Sequence, residues 1–505
     1  DGFRDLPKAN QINIANKWLW QTNNGAQIRW GWKYVDENRL GGQTEYEKSR
    51  YDEMQESLSV YGSHMDNSGV NAYLKFGKPV GAAVYDTDSE EEYRSNIVFV
   101  ADYNYFKEKA YFGLNDYNGH DHAWWMNFSY THYFTARSFL AMGASASITN
   151  SDENIINKIV PGPKVPGQTP NLWEGRTHNQ MRYVEPGVYA EYTYTIHDKF
   201  SLVLGARGDY NTFYEKFYFT PRGHLRWNIT PTTVFRGSAG MGYRSTNLLT
   251  DNIGILATGR QISFVNASGD PTSFDQLNRM EQALTFGGSL TQTFSLVKEH
   301  DATLSFDYFR TRFYNQVVAD QEYMPSHVLF YNTGSLSYTD SYQVDFTWTP
   351  IERFDIFATF RYTDSATTLN RPDGSTHRLE RPLISRYKTL INLQYATKFR
   401  RWVFDVTAQY NGPSRLPSLD GNLDELHYSP AYPMLFAQIS RKIGLFDIYL
   451  GCENILGYTQ DAPITVDGHK FHPGDNPFAS SFNSSVVWGP LMGRKIYIGV
   501  RFNLY

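Results

Sequence analysis

The sequence predicts an all-β fold: a transmembrane antiparallel β-barrel of about 22 strands when complete, with short periplasmic turns and long extracellular loops. Three observations predict it. Apolar and polar residues alternate with period two in many segments. Aromatics gather at the ends of the apolar rows. The connections between rows alternate short and long.

The final segment shows the period most plainly. Ile496, Ile498, Val500, Phe502 and Leu504 form one row. Lys495, Tyr497, Gly499, Arg501 and Asn503 form the other, and the chain stops at Tyr505. A strand points successive side chains to opposite faces, so this one has an oily face and a wet face. Taken in order, the apolar rows begin with Ile12, Ile14, Trp18, Trp20 and then Ile28, Trp30, Trp32, Tyr34. Val70, Ala72, Leu74, Phe76 and Trp124, Met126, Phe128, Tyr130 follow. Later rows are Leu304, Phe306, Tyr308; Tyr342, Val344, Phe346, Trp348; and Phe354, Ile356, Ala358, Phe360, Tyr362. Trp402, Phe404, Val406, Ala408, Tyr410 completes the set. Rings at row ends suit the two membrane interfaces, where an amphipathic ring is favoured.

Short turns are expected near 23–25, 66–69, 107–109, 135–137, 197–199, 230–232, 298–300, 350–353, 398–401 and 442–444. Long loops are expected at 35–56, 151–180, 244–281, 313–339, 364–387, 412–432 and 453–492. Such sidedness belongs to an outer-membrane barrel. A soluble sandwich would show no sidedness and would keep one face of each sheet polar. The turns imply roughly 21 strands, the first and last both running inward from the extracellular side. Closed bacterial barrels have even strand numbers. An odd number of strands is therefore expected upstream of Asp1, because lipid cannot satisfy a raw strand edge.

Composition narrows the reading. Sixteen per cent of the 505 residues are aromatic, enough for two girdles. Mean hydropathy is -0.50 and no run of 18 apolar residues occurs, which excludes a helical span. A net charge of -5 argues against a nucleic-acid partner. The single cysteine, Cys452, lies on an apolar row and excludes an internal disulfide or thiolate cluster. The chain opens at Asp1 with no signal peptide, although export to the outer membrane needs one. It reads as a processed chain or a fragment.

Several stretches resemble one family. Asp1-Gly2-Phe3-Arg4-Asp5-Leu6-Pro7 precedes Gln11-Ile12-Asn13 and Asn16-Lys17-Trp18. Thr220-Pro221-Arg222-Gly223-His224-Leu225-Arg226-Trp227 leads to Phe235-Arg236-Gly237-Ser238-Ala239-Gly240-Met241-Gly242-Tyr243-Arg244. Phe306-Asp307-Tyr308-Phe309-Arg310, Asn315-Gln316-Val317-Val318, Cys452-Glu453-Asn454-Ile455-Leu456 and Trp488-Gly489-Pro490-Leu491-Met492-Gly493-Arg494 follow. In order and spacing these resemble TonB-dependent outer-membrane receptors, in particular the Bacteroidetes type. Ser245-Thr246-Asn247 stands where the family often has a Pro-containing end, which departs from haem-receptor signatures. The resemblance implies a TonB box and a plug domain ahead of the barrel. Neither is in this sequence, so both are expected upstream.

The long loops are the expected ligand site. His120, His122, His178, His327, His377, His427, His469 and His472 map to outer loops or loop edges. Neutral imidazole is the commonest metal ligand, and haem iron often takes one. His120-x-His122 beside Trp124 and Trp125, and His469-x-x-His472, are the closest pairs. A solvated loop histidine is the plainer reading of each. Acidic clusters at 86–92 and 420–425 could bind a hard cation or bridge to lipopolysaccharide through divalent ions. Arg244, Asn247, Asn252 and Arg260 follow the Gly240-Met241-Gly242 strand end, where guanidinium groups suit an anionic chelate. Their alternative role is to anchor the loop to the wall or plug. Arg29, Lys33, Arg207, Asp209, Arg310 and Arg361 are expected on the inward row, wetting the lumen. No nucleophile elbow or hydrolase motif supports catalysis.

The expected function is therefore an outer-membrane receptor of a Gram-negative bacterium. It would import an iron chelate, haem, another metal complex or cobalamin with TonB-derived energy, and needs no cofactor of its own. Its expected partners are the lipid bilayer, lipopolysaccharide, TonB through a plug, and the ligand itself. A passive porin-like channel, or the barrel partner of a surface lipoprotein, are the alternatives.

Overall fold

The computed structural model describes residues 2–503 apart from 51–57, 87–89, 160–172, 197–198, 248–249, 267–268 and 372–373. Leu504 and Tyr505 of the final row lie outside the described residues. The strands are β1 Lys8–Gln21, β2 Gln27–Gly42, β3 Gly62–Asp86, β4 Glu91–Phe112, β5 Asn115–Thr135, β6 Ser138–Ile159 and β7 Trp173–Ile196. Then come β8 Phe200–Asn211, β9 Lys216–Thr230, β10 Thr233–Ser245, β11 Gln261–Phe264, β12 Met280–Val297, β13 His300–Tyr314, β14 Gln316–Met324 and β15 His327–Thr333. The last are β16 Ser337–Ile351, β17 Phe354–Asn370, β18 Thr376–Glu380, β19 Tyr387–Ala396, β20 Trp402–Asn411, β21 Tyr432–Ile443, β22 Phe446–Glu453, β23 Thr465–Val466, β24 His469–Lys470 and β25 Lys495–Phe502.

All but β11, β14, β15, β23 and β24 join one 20-stranded antiparallel sheet, the barrel wall. Each strand pairs with its neighbour in sequence, as in an up-and-down barrel. β17 is shared: β19 pairs with its inner half and the short β18 with its outer half. Among the described residues β1 pairs only with β2, and β25 only with β22.

The two faces follow the period-two rows. Asn115 Nδ2 donates to the Leu256 carbonyl at 2.6 Å, and buried Tyr117 packs with Ile255 and Leu256. Odd-numbered side chains of β5 therefore face the bore. Trp124, Met126 and Phe128 face away from it. Carried through the register, the inward row includes Asn71, Asp102, Arg207, Asp209 and Arg222. The outward row includes Trp18, Trp30, Phe306 and Ile498, which is 75% exposed. So many large apolar side chains on one continuous face exceed any patch a soluble monomer tolerates. They need lipid against them. No helix among the described residues is long and apolar enough to cross a membrane.

Four expectations need correction. Residues 66–69 and 107–109 are not turns; they lie inside β3 and β4. β3 to β7 run 21–25 residues each, while a membrane needs about 10. The surplus stands above the lipid, where polar residues fit a strand and imitate a turn. The real reversal between β4 and β5 is Gly113-Leu114, with Gly113 at φ +61°. Among the described residues the strand count falls accordingly, to 19 running the wall plus β18. Arg310 shares its row with Phe306 and Tyr308, so it faces outward, paired with Asp340 at 3.5 Å. The acidic stretch 86–92 caps the β3–β4 hairpin on the short-turn side, away from the long loops, and 87–89 lie outside the described residues.

On the opposite side the long loops pack together. Ile255, Leu256, Phe274, Leu277, Val317, Val328 and Phe330 bury against Ala110, Tyr117 and Ile155 of the wall. Leu58, Tyr61, Leu114, Val466, Phe471, Phe478 and Phe482 form a second core. Val318, Tyr331 and Leu369 form a third. β11 even pairs in parallel with β15, joining two loops by backbone hydrogen bonds. We call this packed layer the cap.

Candidate functional site

The bore and the cap hold the polar groups that a ligand would meet. Across the bore side of β7, β8 and β9, Arg207 Nε donates to Asp209 at 2.7 Å and its Nη2 to Ser145 at 2.8 Å. Arg222 donates to Glu191 at 2.6 Å. With Trp125, Asn127, Tyr189 and Thr220, these arginines line a cleft of about 340 Å³. Both guanidinium groups already have a carboxylate, so this cleft presents a balanced, wet surface rather than a strong anion trap.

The cap is cross-linked by buried charges. Arg415 grips Glu322 with two hydrogen bonds of 2.6 and 2.8 Å. Arg371 meets Asp320 at 2.7 Å, and Tyr331 donates to the same carboxylate at 2.9 Å. Burial, then the Asp320 charge, holds the Tyr331 phenol above its ordinary range. Arg279, 0% exposed, donates to Asn179 at 2.8 Å and lies over the Phe274 ring at 4.7 Å. Asn179 and Tyr117 each donate to buried Glu153 at 2.8 Å. This chain ties the loop at 246–279 to β5, β6 and β7.

The residues expected at the ligand site do not gather in one place. His120, His122 and Trp124 share the outward row of β5. Tyr103 shares a 2.9 Å hydrogen bond with His122, and the Tyr105 ring lies 4.7 Å from it. This is an aromatic cluster on the outer surface of the wall, not a pair of ligands aimed into the bore. Only the rim of a cleft with Glu108, Asp121, Glu153 and Asn247 touches His120. His178 also stands on an outward row, 2.7 Å from Asn154. The row's parity decides these three histidines, and it was visible in the sequence.

Arg244 remains exposed but meets Asp251 at 3.2 Å and Glu281 at 3.6 Å. Asn247 and Asn252 line separate clefts, the second bounded by Asp320, Glu322 and Arg415. Arg260 is 2% exposed and donates to the Gln321 carbonyl at 2.9 Å. Burial pushes its guanidinium down to about 10. It fastens the cap and has no free face for a chelate. His377 pairs across from Leu369 in β18, and Ser375 Oγ lies 3.3 Å from it.

His469 and His472 do converge. Their rings lie 6.0 Å apart, and both approach Asp475 Oδ2, His469 Nε2 at 3.2 Å and His472 Nδ1 at 3.8 Å. The backbone N–H of His472 donates to the same oxygen at 2.7 Å and is the largest influence holding the Asp475 carboxyl below its ordinary range. Sequence reasoning found the two histidines and missed the aspartate. The signal was there: Pro473-Gly474 between His472 and Asp475 prescribes a tight turn that returns the chain. The buried pairs Arg415–Glu322 and Arg371–Asp320 were also missed, with separations in sequence that no local pattern reports.

Comparison with known proteins places this geometry. A family model described as TonB dependent receptor-like, beta-barrel, matches residues 2–455. Among curated proteins, none matches the sequence. Solved structures share the fold at low identity. The ferric-catecholate import receptor Fiu of Escherichia coli K12 is 13% identical with a TM-score of 0.62, over 99% of this chain and 75% of that one. The copper transporter OprC is 11% identical with a TM-score of 0.58, over 98% and 80%. The siderophore receptor PiuA of Acinetobacter baumannii is 13% identical with a TM-score of 0.54, over 98% and 80%. With nine-tenths of the chain matched on a lipid-facing wall of antiparallel strands, it belongs to the TonB-dependent receptor-like β-barrels, nutrient importers of the Gram-negative outer membrane.

Proposed function

We propose that this barrel captures a metal complex (an iron chelate, haem, another metal complex or cobalamin) and imports it with energy drawn through TonB. The observation that carries the reading is the cap. A passive channel gains nothing from packing three apolar cores into its loops and burying Arg260, Arg279 and Arg415 among them. A receptor does, because rigid loops recognise a scarce ligand without first spending binding energy on ordering themselves. Similar folds named as a siderophore receptor, a ferric-catecholate import receptor and a copper transporter support the substrate class. The reading gives the chain a transport role and no catalytic one. Its outward row would contact lipid below and lipopolysaccharide above.

Uptake by cells tests this. Cells expressing the native gene should accumulate radiolabelled iron or cobalt from at least one member of a panel of ferric chelates, haem and cobalamin. Deleting tonB should abolish that uptake. Uptake that is indifferent to tonB, or purified barrel that admits small sugars into liposomes freely, would favour the porin-like reading instead.

A further inference from the structure

The last extracellular loop, 454–494, carries three metal-ligating side chains on one tip, and import of a chelate gives that tip no task. Two tight turns build it. β23 and β24 pair Val466 with His469 across Asp467-Gly468, whose φ values are +49° and +79°. Positive φ at both positions is the hairpin turn that matches strand twist, and it sets His469 at the start of β24. The chain turns again at His472-Pro473-Gly474-Asp475. The Asp475 N–H donates to the His472 carbonyl at 3.1 Å, with Gly474 at φ +106°. Between the turns Phe471, 1% exposed, is driven into the second core against Phe3 and Phe482. The two histidines flank this anchor, so their backbone is held while their rings stay in solvent.

The donor geometry is that of a chelate. One ring nitrogen from each of His469 and His472 and a carboxylate oxygen of Asp475 all lie within 4.8 Å of one another. Among the described residues, no other group of three His, Cys, Asp or Glu residues approaches so closely. Metal–ligand bonds of about 2.0–2.2 Å require donors roughly 3–3.5 Å apart. The two histidine–aspartate separations, 3.2 and 3.8 Å, are already near that. A small rotation of exposed rings closes the rest. The His472 backbone N–H fixes the Asp475 carboxylate and keeps it ionised, as an outer partner does for a metal ligand. The adjacent cation, Lys470, is occupied by Asp461 at 2.6 Å.

We propose that His469, His472 and Asp475 form a binding site for a borderline divalent metal ion, with Zn²⁺ as the reference ion. Two imidazoles and one carboxylate suit Zn²⁺, Co²⁺, Ni²⁺ or Cu²⁺. The absence of thiolate or thioether in the set disfavours Cu⁺, and one carboxylate falls far short of the oxygen shell that Ca²⁺ takes. Three protein donors leave at least one coordination position open to water or to a donor atom of a metal complex. The site is independent of the import reading, since ion binding is measurable whether or not anything crosses the barrel.

The test is direct titration of the tag-free, chelator-stripped protein in detergent. Zn²⁺ should bind with one-to-one stoichiometry by calorimetry, and Co²⁺ should give visible absorption at the same ratio. His472→Ala and Asp475→Asn should each weaken Zn²⁺ binding at least tenfold. His427→Ala, an exposed loop histidine elsewhere, should leave it unchanged. X-ray absorption of the Zn²⁺-loaded parent protein supplies a readout free of any folding defect in the variants. It should count two imidazoles and oxygen donors. Absent binding, binding equal in all variants, or a shell with fewer than two imidazoles would overturn the proposal. Loss of chelate uptake with Zn²⁺ binding intact would remove the import reading and leave this site standing.

Discussion

The wall and the cap place their hydrophobic residues by opposite rules. In the wall, Trp18, Phe306 and Ile498 point away from the bore and are exposed. In the cap, Val328, Phe330 and Phe482 are sealed inside. The wall's strength lies in ladder hydrogen bonds between neighbouring strands, and lipid takes the place of a core. The cap has little regular ladder and behaves as a small globular layer with its own cores and buried ion pairs. One chain therefore folds under two solvents. The boundary lies near the ends of the outward apolar rows, where Tyr308 and Tyr342 give way to Arg310 and Asp340.

The sharpest way to break this comparison is to attack the cap alone. Glu322→Ala leaves Arg415 charged and buried without its carboxylate, a loss of about 3–5 kcal/mol for a buried pair. Limited proteolysis should then cut the loops while the wall keeps its heat-sensitive migration on a denaturing gel. The double change Glu322→Leu with Arg415→Met should recover most of the protection, because it leaves no buried charge without its partner and strands only the Ser418 N–H and the Glu380 carbonyl that the pair had bonded. If wall and cap lose resistance together in Glu322→Ala, they are one cooperative unit and the comparison fails.

A smaller effect sharpens the wall's side of the argument. Val406 lies mid-row between Phe404 and Ala408 on the outward face of β20, and Thr407 beside it accepts a hydrogen bond from Asn392 on the inward face. Val406→Arg puts a charge into lipid near the midplane, at about 2–4 kcal/mol. Thr407→Arg meets a wet bore and the nearby Asp405, and should cost far less. Unfolding in urea from lipid vesicles measures both. Equal costs would mean that the faces are assigned wrongly.

These two regions also differ in how much of them the sequence discloses. A row such as Trp402, Phe404, Val406 needs only its own segment to be read, because the period of a strand is local. Most wall turns were legible for that reason, and so was the side on which the long loops lie. The errors arose where local signs mislead. Asp66-Asn67-Ser68-Gly69 looks like a turn but is strand standing above the lipid. Arg310 was placed inward for its charge, although its parity with Phe306 and Tyr308 said otherwise. The cap was illegible for a different reason. Arg415 and Glu322 are 93 residues apart, and Asn157 meets Arg260 across 103. No period within a segment reports such contacts. Of the candidate site, only the His469 tip was readable, because two turn signals and two histidines fall within a few residues of one another.

The smallest expected effect concerns that tip and separates its acid response from that of the wall. The Asp475 carboxyl is held below its ordinary value, first by the His472 backbone N–H and then by the two imidazoles. A carboxylate depressed in the folded state contributes stability above its unfolded value of about 3.9, and that contribution fades as pH falls through the lower folded value. The turn should therefore loosen only below about pH 4, and only slightly, since the group lies in solvent. Pepsin, active in that range, should begin to cut beside Phe471 as the turn loosens. Asp475→Asn keeps an oxygen that can accept from the His472 N–H but cannot titrate, so its cleavage should lose the step in pH. The wall ladders join uncharged backbone groups and give no reason for a step there. A pH step that persists in Asp475→Asn would place the acid sensitivity elsewhere in the cap.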